Sequence, residues 1–223
     1  MHKIWSIIRK DIVTEIRTKE LFSSMLLFSL LIIVVFNFAF GFSVELLNIA
    51  APAMLWIAFT FAGILGLSRS FALEKEGNAI MGILLSPTDR SIIYAGKMVS
   101  NTIFVFIVGV ITVLMFILFF NYGFTATLFP LLPVIFLGSV GFVSVGTLFS
   151  AMAINTRLRE VLLPILLFPI IIPVIISSVK LSGQVLDGGS VFDAASSLKL
   201  LISFDIIFVT ACAVTFEYVI DES

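Results

Sequence analysis

Chemistry at neutral pH needs groups that can pair, and this sequence has few that could. His2 is the single histidine and Cys212 the single cysteine, so one chain can form neither a His-based metal or haem-ligating pair nor an internal disulfide. No G-x-x-x-x-G-K phosphate loop is present, which excludes ATP binding and hydrolysis by this chain alone. The H-E-x-x-H metal site, Asp-rich metal–diphosphate motifs and the G-x-S-x-G nucleophile elbow are absent as well. The expectation is a protein with no catalytic residues, no metal site and no cofactor of its own.

The longest connection that mixes charged and apolar side chains is residues 69–97. Arg69, Phe71, Leu73 and Glu74 open it in a short helical pattern that Gly77-Asn78 should end. Ile80 to Leu85 is apolar and includes Leu84 and Leu85. Ser86-Pro87-Thr88-Asp89 then reads as a helix start, with Ser86 as N-cap, Pro87 at the first helical position and Asp89 closing a capping box. Arg90 and Lys97, seven apart, are expected on one face of the stub that follows. Such a segment is too apolar for a solvated connection and too charged for the bilayer core. It needs a cover, either a partner protein or the chain's own N-terminal helix.

Three further patterns could matter. Pro164, Pro169 and Pro173 fall within one apolar stretch, and each removes a backbone donor, so a kinked or broken span is expected there. Ala58, Ala62 and Gly66, and separately Ser139, Gly146, Ser150 and Ala153, form stripes that let helix backbones approach in lipid, within one subunit or across a dimer. Asp205 lies inside the last apolar stretch near one end, where exposure to the interface is the simpler expectation, and Glu217 should be interfacial at the other end.

The elements that must position these residues follow from composition. Hydrophobic residues make up 60% of the 223 residues and charged ones 12%, which leaves too little polar surface for a water-soluble domain of this size. Apolar stretches of spanning length recur near Phe22–Phe42, Ala50–Ser68, Met98–Phe120, Leu131–Ala153, Val161–Val179 and Leu200–Ile220. Ahead of them, Trp5, Ile8, Ile12 and Ile16 recur at helical spacing among Lys3, Arg9, Lys10, Arg17 and Lys19, the pattern of a helix lying in the interface with its cations near lipid phosphates. Charged sequence runs to Glu20 before the first span, unlike a cleavable signal peptide. The fold expected is an all-α membrane protein: an amphipathic interfacial helix over 1–20, then a six-helix transmembrane domain over 21–223.

Orientation comes from Lys and Arg in the connections. With the N-terminus in the cytoplasm, eleven of them (Lys3, Arg9, Lys10, Arg17, Lys19, Arg69, Lys75, Arg90, Lys97, Arg157 and Arg159) lie inside, and only Lys180 and Lys199 lie outside. Both termini and residues 69–97 are then cytoplasmic. The outer connection Lys180–Lys199, rich in Gly and Ser, should hold little structure beyond a short helix.

The run Pro52-Ala-Met-Leu-Trp56-Ile-Ala, then Arg69-Ser-Phe71 with Glu74 and Gly77, then Leu84-Leu85-Ser86-Pro87 and Lys97, resembles the haem exporter protein B (CcmB) family. Arg157-Leu-Arg159-Glu-Val-Leu-Leu-Pro164-Ile-Leu-Leu-Phe-Pro169-Ile with Pro173 is similar to that family's second signature. Order and spacing agree over about residues 1–180, while the last 40 are generic. The resemblance implies an ABC-2-like permease subunit in the inner membrane, working as a homodimer with a separate ABC ATPase. It also implies a haem-handling membrane protein of cytochrome c maturation as partner, and haem as substrate in export or in release from a periplasmic chaperone. Under it, residues 69–97 become an ATPase-coupling loop with Arg69, Phe71, Glu74, Gly77, Leu84, Leu85, Pro87 and Arg90 as its contact residues. Membrane lipid is an expected partner and nucleic acid is not. Two rivals share parts of the pattern: an ABC-2-type exporter permease for a lipid, peptide or drug, and a membrane scaffold without transport.

Overall fold

The computed structural model describes residues 2–40, 44–76, 89–153, 156 and 159–221. Seven α-helices are found among them: α1 His2–Thr18, α2 Glu20–Phe40, α3 Val44–Glu76, α4 Arg90–Phe120, α5 Phe124–Ala153, α6 Arg159–Leu186 and α7 Ala195–Asp221, with a 3-10 turn Val191–Ala194 before the last. Helix is what lipid demands, because a span has no water to satisfy its backbone groups. Among the described residues, six stretches are long and apolar enough to cross a membrane: Glu20–Ala39, Asn48–Ala72, Arg90–Phe120, Leu128–Ala153, Val161–Leu186 and Val191–Val219. Each coincides with one expected span, and the chain is an all-α, multi-pass membrane protein.

The helices overrun the expected boundaries. α3 continues past Ser68 to Glu76 as one helix, because nothing between Leu67 and Glu76 breaks it, so Arg69–Glu76 is no separate short helix. α4 begins at Arg90 with Asp89 in the N-cap position, whose side chain makes no capping bond. Ser86 is therefore not its N-cap, and Ser86, Pro87 and Thr88 lie outside the described residues. α6 runs on to Leu186 and takes in Lys180, so the expected Lys180–Lys199 connection shrinks to a few residues and the 3-10 turn. That turn is held by a capping box: the Ser190 N–H donates to Asp193 Oδ2 at 2.7 Å, and the Phe192 N–H donates to Ser190 Oγ at 3.3 Å. At the same end Asn121 ends α4 in the left-handed conformation that Asn tolerates, and the Tyr122 hydroxyl donates to Asn48 Oδ1 at 3.0 Å. Burial pushes the Tyr122 phenol up, and the nearby Asp187 carboxylate adds to the effect.

α5 is the central helix, packed against α4, α6 and α7 and also touching α3. Its small residues let neighbours in: Gly138 receives the Trp56 indole and Gly146 receives Leu67 of α3. Gly66 of α3 does the same for Met25 of α2. Both small-residue stripes are thus used for packing inside one chain. The Trp56 Nε1–H donates to Ser182 Oγ of α6 at 2.8 Å, and the Trp56 ring lies 4.7 Å from that of Phe59.

Despite three prolines, α6 is not interrupted. Pro169 is exposed and Pro164 and Pro173 are half-buried, while Leu163, Leu167, Ile171 and Val174 form the buried face. The missing donors therefore lie toward the outside of the bundle, the side on which a helix can lengthen its backbone bonds at least expense.

Candidate functional site

The site sits where α3 ends and α4 begins, at the end of the bundle that also carries α1. α1 meets the bundle through Ile8, Asp11 and Glu15, spaced by one helical turn and then another. The two acids among them face inward, while Trp5 (64% exposed) and Ile16 face out. The stripe Trp5, Ile8, Ile12 and Ile16 is therefore split between two environments, with Ile12 half-buried. Gly96 of α4 is the point of closest approach: a Cβ there would lie 3.0 Å from Ile7 of α1.

One turn of chain joins α1 to α2 tightly. Lys19 adopts a left-handed backbone (φ 56°), and its N–H donates to the Glu15 carbonyl at 2.7 Å. The Glu15 carboxylate accepts from the Phe22 N–H at 2.8 Å, so it serves one of the orphan donors in the first turn of α2. A carboxylate is also favoured there by the helix dipole.

At the centre of the site is a buried ion pair. Lys97 Nζ lies 3.0 Å from Asp11 Oδ2, and Lys10 Nζ lies 3.3 Å from Asp11 Oδ1. Lys97 is 2% exposed and Asp11 8%. The same ammonium stands 5.6 Å from the centre of the Phe71 ring, whose negative face attracts it. One turn further along α4, Asn101 Oδ1 accepts from the Ser70 hydroxyl at 2.9 Å, and Asn101 Nδ2 donates to Thr147 Oγ1 at 3.4 Å. The Tyr94 hydroxyl donates to the Ser144 carbonyl at 3.0 Å. α4 is thereby bonded to α1, α3 and α5 within about two turns. The arrangement makes α4 the helix through which a displacement at this end reaches three others.

Across residues 2–220 the sequence matches the family model described as CcmB protein. The chain belongs to the CcmB protein family. It is 27% identical over 203 residues to heme exporter protein B of Bradyrhizobium diazoefficiens, covering 91% of each chain. It is 28% identical over 162 residues to heme exporter protein B of Pseudomonas aeruginosa, covering 72% of this chain and 71% of that one.

The expected coupling residues of this CcmB-family chain fall into four groups. Arg69 lies on the last turns of α3 and bonds to Glu20 at the start of α2, with Nε 3.1 Å from Oε2. Phe71 is 5% exposed and belongs to the bundle's own core, so it is not an open anchor for a partner. Glu74 is helical, and Arg90 is half-buried at the first position of α4. Gly77, Leu84, Leu85 and Pro87 lie outside the described residues, as does Arg157. Lys97, expected beside Arg90 on a solvated face, is instead buried. Asp11, Ser70, Asn101 and Thr147 were not legible as a site in the sequence. The one available signal was Asp11 and Glu15, two acids a turn apart beside Ile8 in an otherwise basic helix.

Proposed function

We propose that this chain is the membrane permease subunit of an ABC transporter that exports haem, or drives its release from a chaperone, during cytochrome c maturation. The observation that carries the reading is the family match over nearly the whole chain, to a family whose relatives bear the name heme exporter protein B. Six spans in one chain suit a permease. ATP hydrolysis comes from a separate cytoplasmic subunit, since the sequence has no phosphate-cradling loop. Haem is read as substrate and not as resident cofactor, because His2 is the single histidine of each chain and a pair of them across a dimer would lie on the cytoplasmic side, which suits export poorly. The complex contains this chain as a homodimer, a cytoplasmic ABC ATPase subunit and a haem-handling membrane protein. It lies in the inner membrane with both termini of this chain in the cytoplasm, as the Lys and Arg distribution favours.

Coupling runs through residues 69–97. Leu84 and Leu85 anchor the ATPase, and Arg69, Glu74 and Arg90 set the register. Phe71 and Lys97 then join α3, α4 and α1, so that a push on the segment moves them together. Pro164, Pro169 and Pro173 give α6 the freedom to follow. Co-expression with the neighbouring genes, purification and a haem absorbance spectrum test the function. Co-purification of an ATPase and a haem signal that changes on ATP addition are expected. A chain that brings down no ATPase and no haem would overturn the reading.

A further inference from the structure

Away from the coupling end, α7 carries a carboxyl that the proposed function does not use. Asp205 lies ten residues past Ala195, about 15 Å along the helix at 1.5 Å per residue, inside the span Val191–Val219. Interfacial exposure is not what the structure shows. Asp205 is 6% exposed, and neither carboxyl oxygen has a hydrogen-bond partner. The side chain is aimed at α5: a Cβ on Gly141 would lie 2.5 Å from Asp205 Oδ1 and 3.1 Å from Val174 of α6. The missing side chain at Gly141 is what leaves room for the carboxyl.

Among the described residues, no cation reaches this position. α5 contains no ionisable residue between Phe124 and Ala153. On α6 the only ionisable residue beyond Glu160 is Lys180, which is exposed, and on α7 Lys199 is exposed and Cys212 lies two turns away. From α4 the Tyr94 hydroxyl is engaged by the Ser144 carbonyl, and Lys97 by Asp11. A carboxylate here would be a buried charge with neither counter-ion nor donor, whereas a protonated carboxyl is neutral. Polar side chains continue along α6 from this point. Ser178 of α6, one turn beyond Val174, is buried with its hydroxyl unpartnered beside Gly138, and Ser182 one turn further holds the Trp56 indole.

We propose that Asp205 is an intramembrane proton-binding site, protonated while the bundle is closed and deprotonated only when α5 parts from α6 and α7. In that step the carboxyl O–H bond breaks, the electron pair stays on the carboxylate, and the proton passes to water entering along Ser178 and Ser182. Reclosing requires the proton back. The closed bundle thus holds one proton more than the opened one, so rising pH favours opening, by up to about tenfold per pH unit above the ordinary carboxylate range.

The test uses the full-length chain in lipid nanodiscs at neutral pH, where exposed carboxyls are ionised. Infrared difference spectra should show a protonated-carboxyl band that is lost in Asp205→Asn, moves to a new frequency in Asp205→Glu, and is unaffected by Glu217→Gln. Thermal unfolding should fall with rising pH in the wild type and less steeply in Asp205→Asn. If Asp205→Asn does not accumulate, the frequency change in Asp205→Glu alone assigns the band. A wild type without the band, a band unmoved in Asp205→Glu, or equal pH slopes would each overturn the proposal.

Discussion

Lys97 and Asp11 form the pair on which the site depends most, and its worth shows in what happens when half of it is removed. A buried charge left without its partner costs about 3–5 kcal/mol, whereas replacing both charges by apolar side chains of similar volume is near neutral. Lys97→Met and Asp11→Leu, each alone, are therefore expected to destabilise the chain by about that amount. The double variant should recover most of the loss. Thermal unfolding of the four proteins of the cycle, in nanodiscs, measures the coupling. Simple additivity of the two single losses would mean that the charges do not act as a pair. Phe71 belongs to the same cluster, and its truncation to Ala should cost about 3–5 kcal/mol of stability, as removal of a large core ring does. Lost ATPase binding in Phe71→Ala would then reflect a loosened bundle as much as a lost contact. The exposed Arg69–Glu20 pair should contribute far less than either.

Among the elements, the elbow between α1 and α2 and the proline-bearing α6 each carry a backbone feature that a substitution can relieve. Lys19 holds a left-handed backbone that an L-residue adopts at a cost of about 1–2 kcal/mol. Lys19→Gly removes that strain but adds chain entropy when unfolded, so stability should rise by at most about 1 kcal/mol. Lys19→Val should lower it. Comparing the unfolding temperatures of the two variants with wild type checks the sign. In α6 the prolines sit on the outer side of an unbroken helix. Changing Pro169 and Pro173 to Ala supplies two backbone donors and stiffens the helix, so the unfolding temperature should rise. If α6 bends during the transport cycle, haem transfer by the complex should fall at the same time. A stiffer helix with undiminished transfer would remove α6 from the moving parts.

For the whole molecule, what matters is that α4 is bonded to α1, α3 and α5 at one end, whereas Asp205 and Ser178 stand unpartnered in the α5–α6–α7 seam further along. A displacement entering at Arg90 would carry the bonded helices as a block. Leu84→Ala combined with Leu85→Ala is expected to weaken ATPase co-purification while leaving the unfolding temperature near wild type. About 1–3 kcal/mol of binding, roughly ten- to hundredfold, is a reasonable loss for a well-buried apolar anchor. Retention of the ATPase at moderate salt by that variant would place the docking surface elsewhere. Topology is checked by a reporter fused after Ser223, which should be active only when cytoplasmic.

The six spans and the amphipathic character of α1 were legible in the sequence because they depend on composition and periodicity, which the solvent imposes on each segment separately. The family resemblance was legible for a related reason, since Trp56, the Arg69–Phe71 run and the three prolines keep their order and spacing along the chain. Burial of individual polar side chains was not. Lys97 reads as a cation just outside a span, and only the close approach of α1 at Gly96 brings Asp11 to it and shuts water out. Asp205 reads as an acid near a helix end, and only the packing of α5 and α6 onto α7 encloses it. Phe71 reads as an uncovered apolar residue while Arg69–Glu76 is taken for a separate short helix, and becomes core once α3 is seen to continue. In each case the deciding quantity was which helix lies against which. That is set by the summed fit of whole faces and leaves no local mark on the residue it buries.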